Sequence, residues 1–214
     1  MVREAIVEGR YGVTRLGERL GAALSTPRAW HFLRKLPEFD YRQTKGRIRS
    51  ILGDEGGTVL DLGCGTGEYA PLFSAERYVG LDMWTPFVRY ASTRLRDFSF
   101  LVGDGERLPF PDDRFQRVLV NGVIHHMGDG SADRLLGEVS RVVRPSGAVL
   151  IIEDVPSSAL NLPGRLMHAM DQGDHIRTAE AYGALIGRHL SITRTEAYRS
   201  GICEYALFET APHV

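Results

Sequence analysis

The sequence predicts an α/β protein: an open, mostly parallel, seven-stranded sheet with helices on both faces and an antiparallel hairpin at its C-terminal end. Three observations predict it. From Thr58 onward, short apolar runs alternate with amphipathic stretches, the signature of a parallel sheet with crossover helices. A glycine-rich segment, "GCGTG" at 63–67, stands directly after the first of those runs. Near the C-terminus, "LSITRTEAY" and "CEYALFETA" read as two neighbouring strands, a closing hairpin at the sheet edge.

Taken in order, residues 3–24 predict a helix, with Leu16, Leu20 and Leu24 repeating every fourth position as an apolar stripe. Thr26-Pro27 predicts an N-cap with proline at the first helical position, opening "PRAWHFLRKL". Tyr41 to Leu52 predicts a third helix, stopped by Gly53 and the "DEGG" turn. These three form an N-terminal helical cap, residues 1–52, ahead of the sheet domain, residues 53–214. "TVLDL" is then a buried strand, "EYAPLF" the start of a helix, and "RYVGLD" a second strand. Thr85-Pro86 predicts another N-cap with proline behind it, opening "PFVRYASTRL". "FSFLVG" and "FQRVLVNG" are strands three and four. Ser131 to Val143 is a helix, Pro145-Ser146-Gly147 a turn, and "AVLIIED" a fifth strand. Residues 156–189 read as a less regular, mainly helical insert.

Composition narrows the function classes. The 214 residues are 43% apolar and 25% charged, with a formal net charge of −1. This fits a globular protein with no global basic field for nucleic acid or membrane. Residues 1–50 nevertheless hold 11 Lys and Arg against 5 Asp and Glu, read as solvated helix faces or as a basic cap over an acidic partner. There is no run of 18 apolar residues, and "MVREAIVEGR" carries charges throughout without an apolar core. Membrane insertion and secretion are therefore not expected. The two cysteines, Cys64 and Cys203, are expected to be reduced thiols in a cytoplasmic protein.

In an open α/β sheet, ligands sit beyond the carboxyl ends of the strands, where strand order reverses. The glycine segment falls there, with a helix N-terminus expected behind it. Its spacing is G-x-G-x-G at Gly63, Gly65 and Gly67, not the G-x-G-x-x-G of dinucleotide enzymes. Asp82 ends the second strand, where a carboxylate can accept both hydroxyls of a ribose. Adenosine is implied in either case, and a nicotinamide reading stays open. Asp61, directly ahead of the loop, suits a cationic ligand better than a pyrophosphate.

The motifs carry a resemblance. "VLDLGCGTG" resembles the first motif of class I S-adenosylmethionine (SAM)-dependent methyltransferases, and "GLD" at 80–82 the second. "GDGERLPFPDDRFQRVLVNGVIHHM" and "EVSRVVRPSGAVLIIED" resemble the following blocks of the UbiE/BioC-like (Methyltransf_11-type) small-molecule branch, in the same order. The resemblance implies a Rossmann-like fold and SAM as cofactor, with S-adenosylhomocysteine as product. It implies that Gly63, Gly65 and Gly67 line the methionine and ribose, with Cys64 among them. Asp61 would sit behind the loop, ordering it or meeting the ammonium through water, Asp82 would take the ribose hydroxyls and Met83 would pack on the adenine. Asp104, between Gly103 and Gly105, would meet the adenine amino group. Asn121 and Gly122 would offer backbone to the methionine ammonium. Cys64 has no basic neighbour nearby in sequence and reads as a packing residue. Ser146 departs from the family, which usually has a second glycine there; a turn should change and the chemistry should not.

Methyl transfer needs positioning and, for some acceptors, a base. His125 and His126 follow strand four. Glu153 and Asp154 end strand five, where a helix cap or surface pair is the plain reading. His168, Asp171 and His175 are spaced to share a helix face, as substrate contacts, as solvent-exposed residues or as metal ligands. The expected catalytic candidates are His126, His125, Asp154 and His175, with no metal. Asn121 is followed by Gly-Val-Ile, not by the Pro-Pro-aromatic of nucleic-acid amino methyltransferases, so the expected partner is a small-molecule acceptor and not nucleic acid. A homodimer is an admissible assembly. Trp30, Phe39 and Tyr41 are expected to line the acceptor pocket, to cover the cofactor or to pack the cap. SAM binding with chemistry other than methyl transfer stays open.

Overall fold

The computed structural model describes residues 40–53, 56–158, 161, 162, 164 and 175–213. The two helices expected before residue 37 lie outside the described residues, as do Trp30, Phe39, His168 and Asp171. Helix α1, Arg42–Leu52, leads into strands β1 (Val59–Leu62) and β2 (Tyr78–Asp82). Helix α2 (Thr85–Arg94), β3 (Ser99–Val102) and β4 (Phe115–Asn121) follow. Helix α3 (Asp129–Val142), β5 (Val143–Asp154), α4 (Ala179–Ile186), β6 (Leu190–Ser200) and β7 (Cys203–Pro212) complete the order.

The seven strands form one sheet in the order β3-β2-β1-β4-β5-β7-β6. The first five are parallel, and β7 runs antiparallel between β5 and β6. The chain therefore leaves β1 in one direction and returns on its other side through β4. This places the crevice beyond the carboxyl ends of β1 and β4.

Strand alternation assigns the faces. Leu60 and Leu62 point toward Leu135, Leu136 and Val139 of α3 and Tyr182 and Ile186 of α4, in a core shared with Val118, Val120, Val149 and Ile151. Val59, Leu119, Leu150 and Ile152 point the other way, against Ile48 and Leu52 of α1 and the rings of Phe73, Tyr78 and Tyr205. Helix α1 is pinned beside the hairpin: Thr44 Oγ1 lies 2.9 Å from Tyr198 Oη, and Arg47 pairs with Glu196 at 2.7 Å. At its C-terminal end, the Arg117 guanidinium donates to the carbonyls of Leu52, Gly53 and Gly56. The carbonyls of Leu52 and Gly53 are ones that the helix end leaves without intrahelical partners.

Three local expectations are corrected. No α-helix follows the glycine loop; residues 63–77 hold only two short 3₁₀ turns, Ala70–Leu72 and Ala75–Arg77. Gly63, Gly65 and Gly67 all have positive φ, and Pro71, inside the first of the two turns, removes a backbone donor. Thr85 is not an N-cap but the first residue of α2; Trp84 caps without a side-chain bond. Its amide is satisfied instead by Asp82 Oδ1 at 2.7 Å. Residues 145–147 are not a turn separating α3 from β5. They form an irregularity inside β5, which already pairs at Phe115↔Val143 and resumes at Arg117↔Ala148. Gln116 Nε2 donates to the Ser146 carbonyl across it, at 2.8 Å.

Candidate functional site

A cleft of about 530 Å³ opens at the carboxyl ends of β1 and β4. That volume is in the range of small-molecule sites. Its floor is the loop after β1. Gly63 and Cys64 both donate to the Leu81 carbonyl, at 2.7 and 3.2 Å, which bends the chain back toward β2. A Cβ on Gly63 would lie 2.3 Å from Val123 Cγ2, and its φ is +75°. Only glycine meets both conditions. The loop thus presses its backbone against the Val123 side chain, where strands one and four part.

Asp61 does not reach the cleft. Strand alternation turns it into the α1 face, where it is 1% exposed and accepts from the Tyr78 hydroxyl at 2.6 Å. Burial pushes its carboxyl up to about 7, against the lowering effect of the Tyr78 hydrogen bond, and the nearby Asp82 raises it further. Cys64 is buried too. Its Sγ lies 2.9 Å from where a Cβ on Gly80 would be, and burial, then the charges of Asp61 and Asp82, drive its thiol far above the ordinary range. Cys64 nevertheless lines the cleft.

Asp82 spans the base of the cleft. Oδ2 accepts from the Gly65 amide at 2.9 Å and Oδ1 from the Trp84 amide at 2.7 Å. The carboxylate is locked to the glycine loop on one side and the start of α2 on the other. Desolvation raises its pKa, while the two amides lower it. Beside it, Met83 and Trp84 are 61% and 44% exposed, and the Trp84 and Phe87 rings meet edge-to-face at 4.1 Å. Trp84 and Phe87 went unassigned in the sequence; the signal was an aromatic pair at i and i+3 across the start of α2.

The adjoining wall is Gly103-Asp104-Gly105. The Gly103 amide donates to the Asp82 carbonyl at 3.0 Å. A Cβ on Gly105 would lie 2.9 Å from Leu135 Cδ1, so that glycine admits α3. Exposed Asp104 accepts the Glu106 amide through Oδ1 at 2.9 Å. At the end of β4, Asn121 and Gly122 line the cleft; Gly122 has φ +66° and donates to the Ile152 carbonyl at 2.9 Å.

Beyond Gly122, the 3₁₀ turn Ile124–His126 closes the far wall. Glu153 is its anchor. Fully buried, it is neither a surface residue nor idle: Oε1 accepts from the amides of Val123 and Ile124 at 3.0 and 2.7 Å. Oε2 accepts from the His125 amide at 3.2 Å and from His125 Nδ1 at 2.8 Å. A cap is what the strand end suggested, yet its object is a turn far away in sequence. His125 and Asp154 are each 2% exposed and both line the cleft, Asp154 Oδ2 lying 3.8 Å from His125 Nδ1. His126 is exposed and lines the cleft, its ring 4.0 Å from that of His125.

His175 does not line the cleft. It is exposed, and its amide donates to the His125 carbonyl at 3.0 Å. Two residues on, Arg177 clamps the same turn from outside. Its guanidinium donates to the carbonyls of Ile124, Met127 and His175 and pairs with Asp129 at 2.7 Å. Opposite, Tyr41 lines the cleft and packs edge-to-face on Tyr69 at 6.0 Å, and Lys45 pairs with Glu68 at 2.5 Å. Among the described residues, no group of three His, Cys, Asp or Glu side chains could hold a metal. No described helix is long and apolar enough to cross a membrane.

Comparison with known proteins now bears on this geometry. Residues 60–151 match the family described as a methyltransferase domain. Over 120 residues the chain is 37% identical to "Probable tRNA methyltransferase 9B" of Mus musculus, covering 54% of this chain and 26% of that protein. Over 166 residues it is 31% identical to the ubiquinone/menaquinone biosynthesis C-methyltransferase UbiE of Geobacter sulfurreducens, covering 70% and 64%. The chain thus spans about a quarter of the first relative and under two thirds of the second. Among solved structures, a SAM-dependent methyltransferase from Methanosarcina mazei superposes with a TM-score of 0.64 over 78% of this chain and 98% of that one, at 19% identity, a likeness of fold. Residues 60–151 thus match a methyltransferase domain, and the described fold is like that of a solved SAM-dependent methyltransferase.

Proposed function

We propose that the protein binds SAM in this cleft and transfers its methyl group to an O, N or C atom of a small molecule. The single observation that carries the reading is the Asp82 arrangement. One buried-edge carboxylate is fixed by the Gly65 and Trp84 amides at the switch point of the sheet, with an exposed apolar shelf of Met83 and Trp84 beside it. Such a carboxylate suits a ribose diol, and the shelf suits a purine face. Asp104, with Gly103 and Gly105, would meet the adenine edge. Gly63 and Gly65, with Asn121 and Gly122, would hold the amino-acid part; Gly67, expected beside them, does not line the cleft and packs against Phe100 and Leu95. Asp61 would order the loop from behind, through Tyr78. SAM supplies an electrophilic methyl on a sulfonium, so the chain's task is to orient the acceptor and, where needed, to take its proton.

The candidates for that proton are the groups on the far wall: His125, His126 and Asp154. His175, outside the cleft, supports the wall through its backbone. The described walls favour a small acceptor over nucleic acid. Glu68, Asp82, Asp104, Glu106 and Asp154 line them, and no Lys or Arg does among the described residues, whereas phosphate contacts need cations. We further propose a cytoplasmic protein; a homodimer would be compatible with this site.

The test is incubation with methyl-labelled SAM and four separate acceptor pools: phenols, amines, hydroxyquinones and tRNA. Label in a small-molecule pool is expected. Label in tRNA alone would replace the acceptor class, and bound SAM that is never consumed in any pool or cell extract would replace methyl transfer itself.

A further inference from the structure

The glycine loop is seated from behind by a residue outside its motif. Arg94 is the last residue of α2 and a base in its final turn, where such a side chain ordinarily serves its own helix's terminal carbonyls. It reaches across instead. One nitrogen, Nη2, donates to the carbonyls of Thr66 and Gly67 at 2.9 and 3.1 Å, 28 and 27 residues back in the chain. The same half of the loop rests on side chains beside Arg94. A Cβ on Gly67 would lie 2.9 Å from Phe100 Cζ and 3.1 Å from Leu95 Cδ1. The loop is therefore held from both ends of α2. Asp82, bonded to the Trp84 amide at the helix start, takes the Gly65 N–H. Arg94, at the helix end, takes the carbonyls of the two residues that follow.

Thr66 lines the cleft and Arg94 does not, so the two oxygens drawn to Arg94 are directed behind the floor. The guanidinium also sets a positive charge behind a lining that holds Glu68, Asp82, Asp104, Glu106 and Asp154. An anionic group entering among those carboxylates is repelled by them and by any carbonyl oxygen turned its way. We propose that Arg94 is a positioning residue for the carboxylate of the cofactor's amino-acid half. It keeps two carbonyl oxygens off the loop side of the floor and places a cation behind it. The inference rests on the SAM reading and adds a residue acting through the loop. It also gives Gly67 a part: the missing side chain lets the loop settle on Leu95 and Phe100, within reach of Arg94.

Two ligands isolate the carboxylate: S-adenosylhomocysteine and its decarboxylated counterpart, identical in nucleoside, sulfur and amine. Arg94→Met keeps an unbranched chain and loses the donors and the charge. Titration calorimetry of the folded variant should show S-adenosylhomocysteine weakened about tenfold, the scale of one hydrogen bond to a charged group, and the decarboxylated ligand unchanged. Arg94→Lys, which keeps the charge, should recover part of the loss. Amide exchange without ligand gives a second readout. The Gly67 amide, which donates to the Cys64 carbonyl at 2.9 Å, should exchange faster in Arg94→Met, while the Gly65 amide, bound to Asp82, holds its rate. Equal weakening of both ligands would make Arg94 a general support of the fold, and unchanged affinity for both would make it a solvated helix end; either result overturns the proposal. If Arg94→Met does not fold, the same affinity ratio in Arg94→Gln against Arg94→Lys decides. If the unmodified protein binds neither ligand, the SAM reading falls and the carboxylate assignment with it, while the exchange rates still report whether Arg94 seats the loop.

Discussion

The Tyr78 hydroxyl donates a 2.6 Å hydrogen bond to Asp61 Oδ2 beneath the glycine loop, in the α1-facing core. The first and second strands are thereby tied by a buried polar bond, directly under the residues proposed to hold the cofactor.

The Asp61 carboxyl has a folded pKa of about 7 against 3.8, raised first by burial. Between those values the folded state binds the proton that the unfolded state has released, so stability is full at low pH and falls as pH rises from about 4 to 7. Asp61→Asn keeps an acceptor for Tyr78 and removes this titration. Calorimetric melting of both proteins from pH 4.5 to 7.5 should show the variant losing less stability, by at most about 4 kcal/mol for a shift of this size. Parallel curves would show that Asp61 is ionised throughout.

Gly63→Ala meets two penalties, a φ of +75° and a methyl 2.3 Å from Val123 Cγ2. A loss of about 2 kcal/mol or more is expected from overpacking and left-handed backbone together. Adding Val123→Ala should recover the steric part only. Urea melts of the single and double variants separate the two costs; full recovery would mean that the backbone conformation is not limiting.

Arg177→Ala removes the outer clamp on the turn whose inner clamp is Glu153. Amide exchange across residues 124–129 should quicken, with the sheet strands unaffected, because the lost partners are carbonyls of that turn and Asp129. Unchanged exchange there would assign Arg177 to surface solvation.

Much of this was legible in the sequence. Apolar runs gave the strands, and the G-x-G-x-G spacing with Asp82 gave the crevice and its base. The missing helix was not, because "EYAPLF" has helical composition while its backbone is set by three left-handed glycines and Pro71. Thr85 looked like a cap because capping residues and first-turn residues are drawn from similar types. The role of Glu153 depends on topology: β5 lies beside β4, so the end of one strand meets the turn after the other. A weak signal existed. In "AVLIIED", Glu153 shares parity with Val149 and Ile151, which face the α3 core, and a carboxylate on a buried parity must have partners. Arg177 could not be found this way, since its partners lie about 50 residues away in an irregular turn.

The central claim is that this cleft is a SAM site held together by Asp82. Isothermal titration with S-adenosylhomocysteine, against nicotinamide adenine dinucleotide as competitor class, tests it most directly. Saturable binding of the homocysteine nucleoside is expected, weakened at least about tenfold, or 1.4 kcal/mol, in a folded Asp82→Ala protein. Tight binding of the dinucleotide with none of S-adenosylhomocysteine, or equal affinity in Asp82→Ala, would contradict it.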